Sequence, residues 1–259
     1  MSSWLYENAL QNPETLLMAI DQPAAARNMI VQTETGMLNR RMFLASAAAI
    51  LAAGCTSSRY PQQTGNPGPV TATGRPIPPE YLQMYRAMPE ERFPIPAVDL
   101  TKIDPAYYRR LVDYSPPEPS GTIIVDTPNR YLYLTMEGGK AMRYGVGIGR
   151  AGFAWGGRAR IQYKRAWPRW TPPADMIARE PELEQFRGGM EPGLENPLGA
   201  RALYIFQGGR DTLYRLHGTS EFWTIGKAVS SGCVRLLQQD IIDLYNRIPD
   251  GTSIVVRQA

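Results

Sequence analysis

Proline decides where regular structure can begin in this chain. The 259 residues include 23 prolines, above the ordinary share of about 5%, and they cluster before residue 120. Proline fixes φ and lacks an amide hydrogen, so it interrupts helix interiors and central strands. The front half is therefore expected to be extended. Residues 55–95 are also rich in Gly, Ser, Thr and Gln, as in the stretches from Pro61 to Pro69 and from Arg75 to Pro79. They read as a linker, part flexible and part extended. Tyr81 to Met88 is expected to make a short helix. Asp104-Pro105 is a helix start signal and predicts a helix over 104–112. Residues 96–119 then form an extension whose apolar side chains dock on the following domain.

From about Ser120 the pattern changes. Gly121–Asp126, Tyr131–Thr135, Ala141–Ile148, Arg160–Lys164, Ala202–Phe206, Tyr214–His217 and Ser253–Arg257 read as strands separated by Pro/Asn and Gly turns. Thr171 to Ile177, continuing through 182–186, and Gln239 to Asn246 read as helices. A mainly β domain over 120–257 with a few short helices is expected. Hydrophobic content of 43% against 20% charged residues suits a packed core. The net charge of +4 comes without a basic run or a nucleic-acid motif, so a nucleic-acid partner is not expected.

Met37 opens a second signal. Arg40-Arg41-Met42-Phe43-Leu44 leads into an alanine-rich apolar run that ends at Gly54-Cys55. A cationic start, a short apolar core and small residues before a cut make a signal peptide over 37–54. The run is shorter than the roughly 20 residues a spanning helix needs. The paired arginines resemble a twin-arginine export signal, and Leu51-Ala52-Ala53-Gly54-Cys55 resembles a lipobox with Cys55 as the acylated residue. Residues 1–36 carry no such features and are expected to lie upstream of the natural start. A periplasmic protein, lipid-anchored to a membrane through Cys55, is the resulting expectation.

His217 is the only histidine, and Cys233, one of two cysteines, follows it by sixteen residues. Gly226 and Ser231-Gly232 give the intervening segment places to turn, which would set a base beside a nucleophile. With Cys55 assigned to the lipobox, one histidine and one cysteine do not make an ordinary zinc site. No metal or cofactor is expected.

His217-Gly218-Thr219, Ile225-Gly226 and Ser230-Ser231-Gly232-Cys233-Val234-Arg235-Leu236 together resemble the signature of the L,D-transpeptidase (YkuD) family. Ser231 stands where the family usually has a second histidine, which is not its base. The resemblance implies a β-sandwich-like catalytic domain and a peptidoglycan L,D-transpeptidase. Cys233 would be the nucleophile and His217 the base, with the Gly218 carbonyl orienting the imidazole. Gly232 and Cys233 would supply the oxyanion amides. Arg235, Ser231, Trp223 and Tyr204 are the candidates for substrate contact, with Arg235 also able to brace the loop. An imidazolium neighbour would lower the thiol below its free value of about 8.5. The implied partners are peptidoglycan stem peptides and an amine acceptor, either a second stem peptide or an envelope protein. A hydrolase using the same thioester and a non-catalytic peptidoglycan-binding lipoprotein remain the alternatives.

Overall fold

The computed structural model describes residues 68–149, 155–230 and 232–258. The expected signal segment, Cys55, Ser231 and residues 55–67 of the expected linker lie outside these residues.

Eleven strands are present among the described residues. They are β1 (Arg110–Asp113), β2 (Ile123–Asp126), β3 (Tyr131–Met136), β4 (Lys140–Gly145), β5 (Ile148–Gly149), β6 (Gly157–Ala166), β7 (Arg201–Gln207), β8 (Arg210–Thr219), β9 (Ala228–Ser230), β10 (Val234–Leu237) and β11 (Ser253–Arg257). Nine form one sheet in the order β1-β4-β3-β2-β11-β6-β7-β8-β10, and β5 pairs with β9. Most neighbours are antiparallel, joined by the Gly and Asn turns read in the sequence. Three ladders, β2–β11 and β8–β10 within the large sheet and the separate β5–β9 pair, are parallel. The helices are short: α1 (Pro79–Met84), α2 (Ala174–Arg179) and α3 (Gln238–Arg247).

A single core cluster draws Leu132, Leu134 and Tyr144 from one end of the sheet and Leu203, Leu216, Val234 and Leu236 from the other. The sheet therefore curls round its own interior, as a sandwich does. Register shifts in β6 and β7 supply the local bends such curling needs. Ile123, Ile124 and Val125 of β2 are all fully buried, the continuous apolar run expected of a strand covered on both faces. Helix α3 adds Ile241 and Leu244 to the same core, and Ile248 follows just past its end. Truncating one such side chain to Ala costs about 2–5 kcal/mol.

Two expectations for the front half are corrected. The helix expected over 104–112 is a 3₁₀ turn, Pro105–Tyr107, followed by β1. Asp104 caps that turn, accepting from the Ala106 amide at 2.8 Å. Beyond it the chain pairs with β4, because the sheet edge offers partners for every second backbone group and a one-turn helix offers few. The expected linker also ends earlier than residue 95. Ile77, Tyr85 and Ile95 are buried and pack with Leu100, Ile225 and Leu237, or with Trp167 and Ile242. Prolines reduce the conformational freedom that docking must remove, so a few spaced apolar anchors suffice to hold this strap.

Candidate active site

Alternation along β8 builds the site. Leu216 points into the core, so His217 must point to the opposite face. In the parallel ladder Leu216 pairs with Val234 and His217 with Arg235. Val234 and Leu236 are core residues, so Arg235 and Cys233 share the His217 face. Cys233 therefore sits diagonally across from His217 and one step beyond the ladder, opposite Arg215. Diagonal neighbours in a sheet lie roughly 7–8 Å apart at the backbone, within reach of long side chains. The thiol and imidazole are not hydrogen-bonded to each other among the described residues.

A parallel pair needs a long connection, and residues 220–233 provide it. It contains a 3₁₀ turn, Phe222–Thr224, and β9. Gly226 takes φ +79°, and a Cβ there would strike the Tyr107 ring. The connection is tied down at several points. Gly147 and Arg235 exchange two backbone bonds of 2.8 and 2.9 Å. The Ser230 hydroxyl donates to the Cys233 carbonyl at 2.8 Å and accepts from the Gly232 amide at 3.4 Å. The Arg235 guanidinium forms an ion pair with Glu221 inside the connection.

His217 is 5% exposed, and its Nδ1 lies 2.8 Å from the Gly218 carbonyl. A carbonyl only accepts, so Nδ1 carries the proton and Nε2 keeps its lone pair. Burial lowers the imidazole to about 4, with the cations Arg235 and Arg215 pushing the same way against the Gly218 and Pro197 carbonyls. Cys233 is half-buried. Burial raises its thiol, against the Arg215 backbone amide and the Arg215 and Arg235 charges. The expectation of a depressed thiol is thereby corrected. At neutral pH the resting pair is thiol and neutral imidazole, because desolvation penalises both charged forms.

The other candidates fall in different places. Tyr204 pairs with Tyr163 on one side and Arg215 on the other, so it lies on the Cys233 face. Its ring stacks on Tyr163 at 4.4 Å and lies under the Arg215 guanidinium at 4.4 Å. Trp223 is half exposed in the turn of the connection, against Phe222. Arg215 itself is held by two 2.7 Å bonds to Asp211. Three neighbours of the site did not stand out in the sequence: Arg215, Asn196 and Gln238. Asn196 is buried in the loop facing His217, and Gln238 accepts from the Ala200 amide at 2.9 Å while packing against Gly218. The Asn196-Pro197 dipeptide was available as a turn signal. Among the described residues no cluster of three or more His, Cys, Asp or Glu side chains could hold a metal ion.

A mainly β domain with a histidine on one strand and a cysteine immediately before its parallel neighbour defines a class, and comparison with known proteins gives it a family. The L,D-transpeptidase catalytic domain model matches residues 120–256, and the chain belongs to that family. Among similar proteins, the probable L,D-transpeptidase YbiS of Escherichia coli K12 is 35% identical over 144 residues, covering 51% of this chain and 43% of that protein. The probable L,D-transpeptidase YcfS of the same strain is 33% identical over 147 residues, covering 54% and 44%. The chain thus spans less than half the length of these two relatives. A crystal structure described as a probable carnitine operon oxidoreductase from Brucella melitensis is 45% identical, covering 60% of this chain and 96% of that one, with a TM-score of 0.43.

Proposed function

We propose that this protein is a peptidoglycan L,D-transpeptidase that works through a thioester on Cys233. The observation that supports it most is the parallel pairing of β8 with β10, which sets His217 and Cys233 on one sheet face with the Gly218 carbonyl on Nδ1. Cys233 Sγ attacks the carbonyl of an L,D peptide link in a tetrapeptide stem, and Nε2 of His217 takes the thiol proton during the attack. Because the resting pair is neutral, proton transfer accompanies bond formation. The Cys233 amide, and the Gly232 amide once it gives up its long bond to the Ser230 hydroxyl, are the donors for the developing oxyanion. The tetrahedral adduct collapses, His217 protonates the leaving nitrogen, and D-alanine departs. An amine then attacks the thioester carbonyl, His217 accepts its proton, and the thiolate leaves and is reprotonated.

The amine acceptor is a second stem peptide or an envelope protein. Tyr204 and Trp223 line the donor path in this reading, and Arg235 braces the loop. Export and a lipid anchor on Cys55 would put the domain in the periplasm, where this substrate lies. Incubating the protein with purified tetrapeptide muropeptides tests the reading. New cross-linked products with equimolar free D-alanine support transfer. D-alanine with uncross-linked tripeptide alone, even with amine supplied, identifies a hydrolase. No D-alanine release refutes the enzyme.

A further inference from the structure

The wall opposite His217 is a loop built around one side chain. Asn196 is 3% exposed, and its Nδ2 donates to the carbonyls of Pro168 at 3.1 Å, Met190 at 3.2 Å and Glu191 at 3.1 Å. Its Oδ1 accepts from the Leu198 amide at 2.9 Å. One amide thus holds together three separate turns of the segment between β6 and β7. That segment is stitched to the histidine strand at two points. The Gly218 amide donates to the Leu198 carbonyl at 3.2 Å, and the Ser220 hydroxyl donates to the Leu194 carbonyl at 2.7 Å. Between these stitches the Pro197 carbonyl faces the imidazole.

We infer that Asn196 is a positioning residue for His217, fixing the ring's rotation and its dry environment by holding the 190–198 loop against Gly218 and Ser220. The Met190 carbonyl also accepts from the Trp170 amide at 3.0 Å, so the groups that depend on Asn196 are the Pro168 and Glu191 carbonyls and the Leu198 amide, and each would cost about 1–3 kcal/mol if left unpaired. Asn is the compact side chain that offers both donors and an acceptor. Removing it frees the loop, and the first consequence is water at the ring. Burial is the largest influence on the imidazole, so loosening the loop moves its titration upward, even though the Pro197 carbonyl would be lost as well. The second consequence is misorientation of Nε2, and displacements of about 1 Å in such groups cost roughly 10²-fold in rate.

The kinetic half of this inference rests on His217 being the base, and the spectroscopic half does not. His217 is the only histidine in the chain, so its imidazole resonances need no assignment. The experiment is an NMR pH titration of the full chain, wild type against Asn196→Ala, with kcat and KM measured on muropeptide substrate. In wild type the ring stays neutral with the proton on Nδ1 down to about pH 4. In Asn196→Ala the midpoint is expected to move toward the ordinary value of about 6.5, kcat to fall about 10²-fold, and KM to stay within about twofold, since only the base is misplaced. A folded Asn196→Ala protein that titrates as wild type overturns the inference. A shifted titration with unchanged kcat supports the positioning and refutes His217 as base. If Asn196→Ala does not fold, Ser220→Ala, which removes one exposed stitch, decides: a smaller upward shift supports the inference and a wild-type titration overturns it.

Discussion

Arg235 stands opposite His217 in the parallel ladder, and its guanidinium is committed to Glu221 in the connection that carries the chain from His217 to Cys233. One residue thereby joins β8, β10 and the loop between them. The Glu221 side chain is half exposed, so the pair contributes at most about 1 kcal/mol to stability. Its effect is on geometry.

Arg235→Ala and Glu221→Gln are accordingly expected to act alike. Each should leave the melting temperature nearly unchanged and lower kcat by roughly ten- to a hundredfold, with little change in KM. Steady-state kinetics on a stem-peptide donor checks this. If Arg235 instead held a substrate carboxylate, Arg235→Ala would raise KM and Glu221→Gln, by freeing the guanidinium, would lower it.

The resting state of the pair is open to direct test by alkylation of a chain carrying Cys55→Ser, so that Cys233 alone reacts. Both groups are neutral at pH 7, since burial raises the thiol and lowers the imidazole. Iodoacetamide reactivity should keep rising with pH through the free-thiol value of about 8.5, with no plateau below pH 8. His217→Ala should move the profile down or not at all, because it admits water without removing a charge, while acyl transfer is lost. A wild-type plateau below pH 8 that disappears in His217→Ala would establish a resting ion pair instead.

Two buried titrating groups oppose each other in stability. His217 is lowered from about 6.5 to about 4 by burial, so the unfolded state binds the extra proton and stability falls as pH drops through that window. The effect is about 3 kcal/mol. Asp240, fully buried beside Arg109, Tyr85 and Asp243, is raised to about 7 by burial. The native state holds that proton, so stability falls as pH rises from about 4 to 7, by about 4 kcal/mol. Wild-type stability should therefore vary little between pH 4 and 6.5. Chemical denaturation should show stability falling with rising pH in His217→Gln and climbing with rising pH in Asp240→Asn. Flat profiles in both variants would contradict the burial assigned to these groups.

How much of this could be read from residues alone follows a physical line. The strands from Ile123 to Met136 and the hairpin of β7 and β8 declared themselves by local alternation and Gly turns. His217 and Cys233 stood out as candidates because their residue types are rare in this chain and locally spaced. The strand that follows Cys233 did not. Val234-Arg235-Leu236-Leu237 is four residues long and runs straight into α3, and only the distant β8 makes it a strand. Asn196 and Gln238 were invisible for the same reason, since a buried amide has meaning only through carbonyls brought to it by the fold. The 69–95 strap reads as a linker because its anchors, Ile77, Tyr85 and Ile95, are isolated among prolines and polar residues.

The central claim is that Cys233 carries the acyl group. Intact-protein mass spectrometry after brief incubation with a tetrapeptide stem, followed by peptide mapping, addresses it directly. The account predicts an adduct of the stem minus D-alanine on Cys233 in wild type. It predicts no adduct in Cys233→Ser, which folds normally because oxygen replaces sulfur at similar size, with transfer lowered by at least about 10³-fold. Cross-linking at near wild-type rate by folded Cys233→Ser protein, or an adduct on another residue, would contradict it.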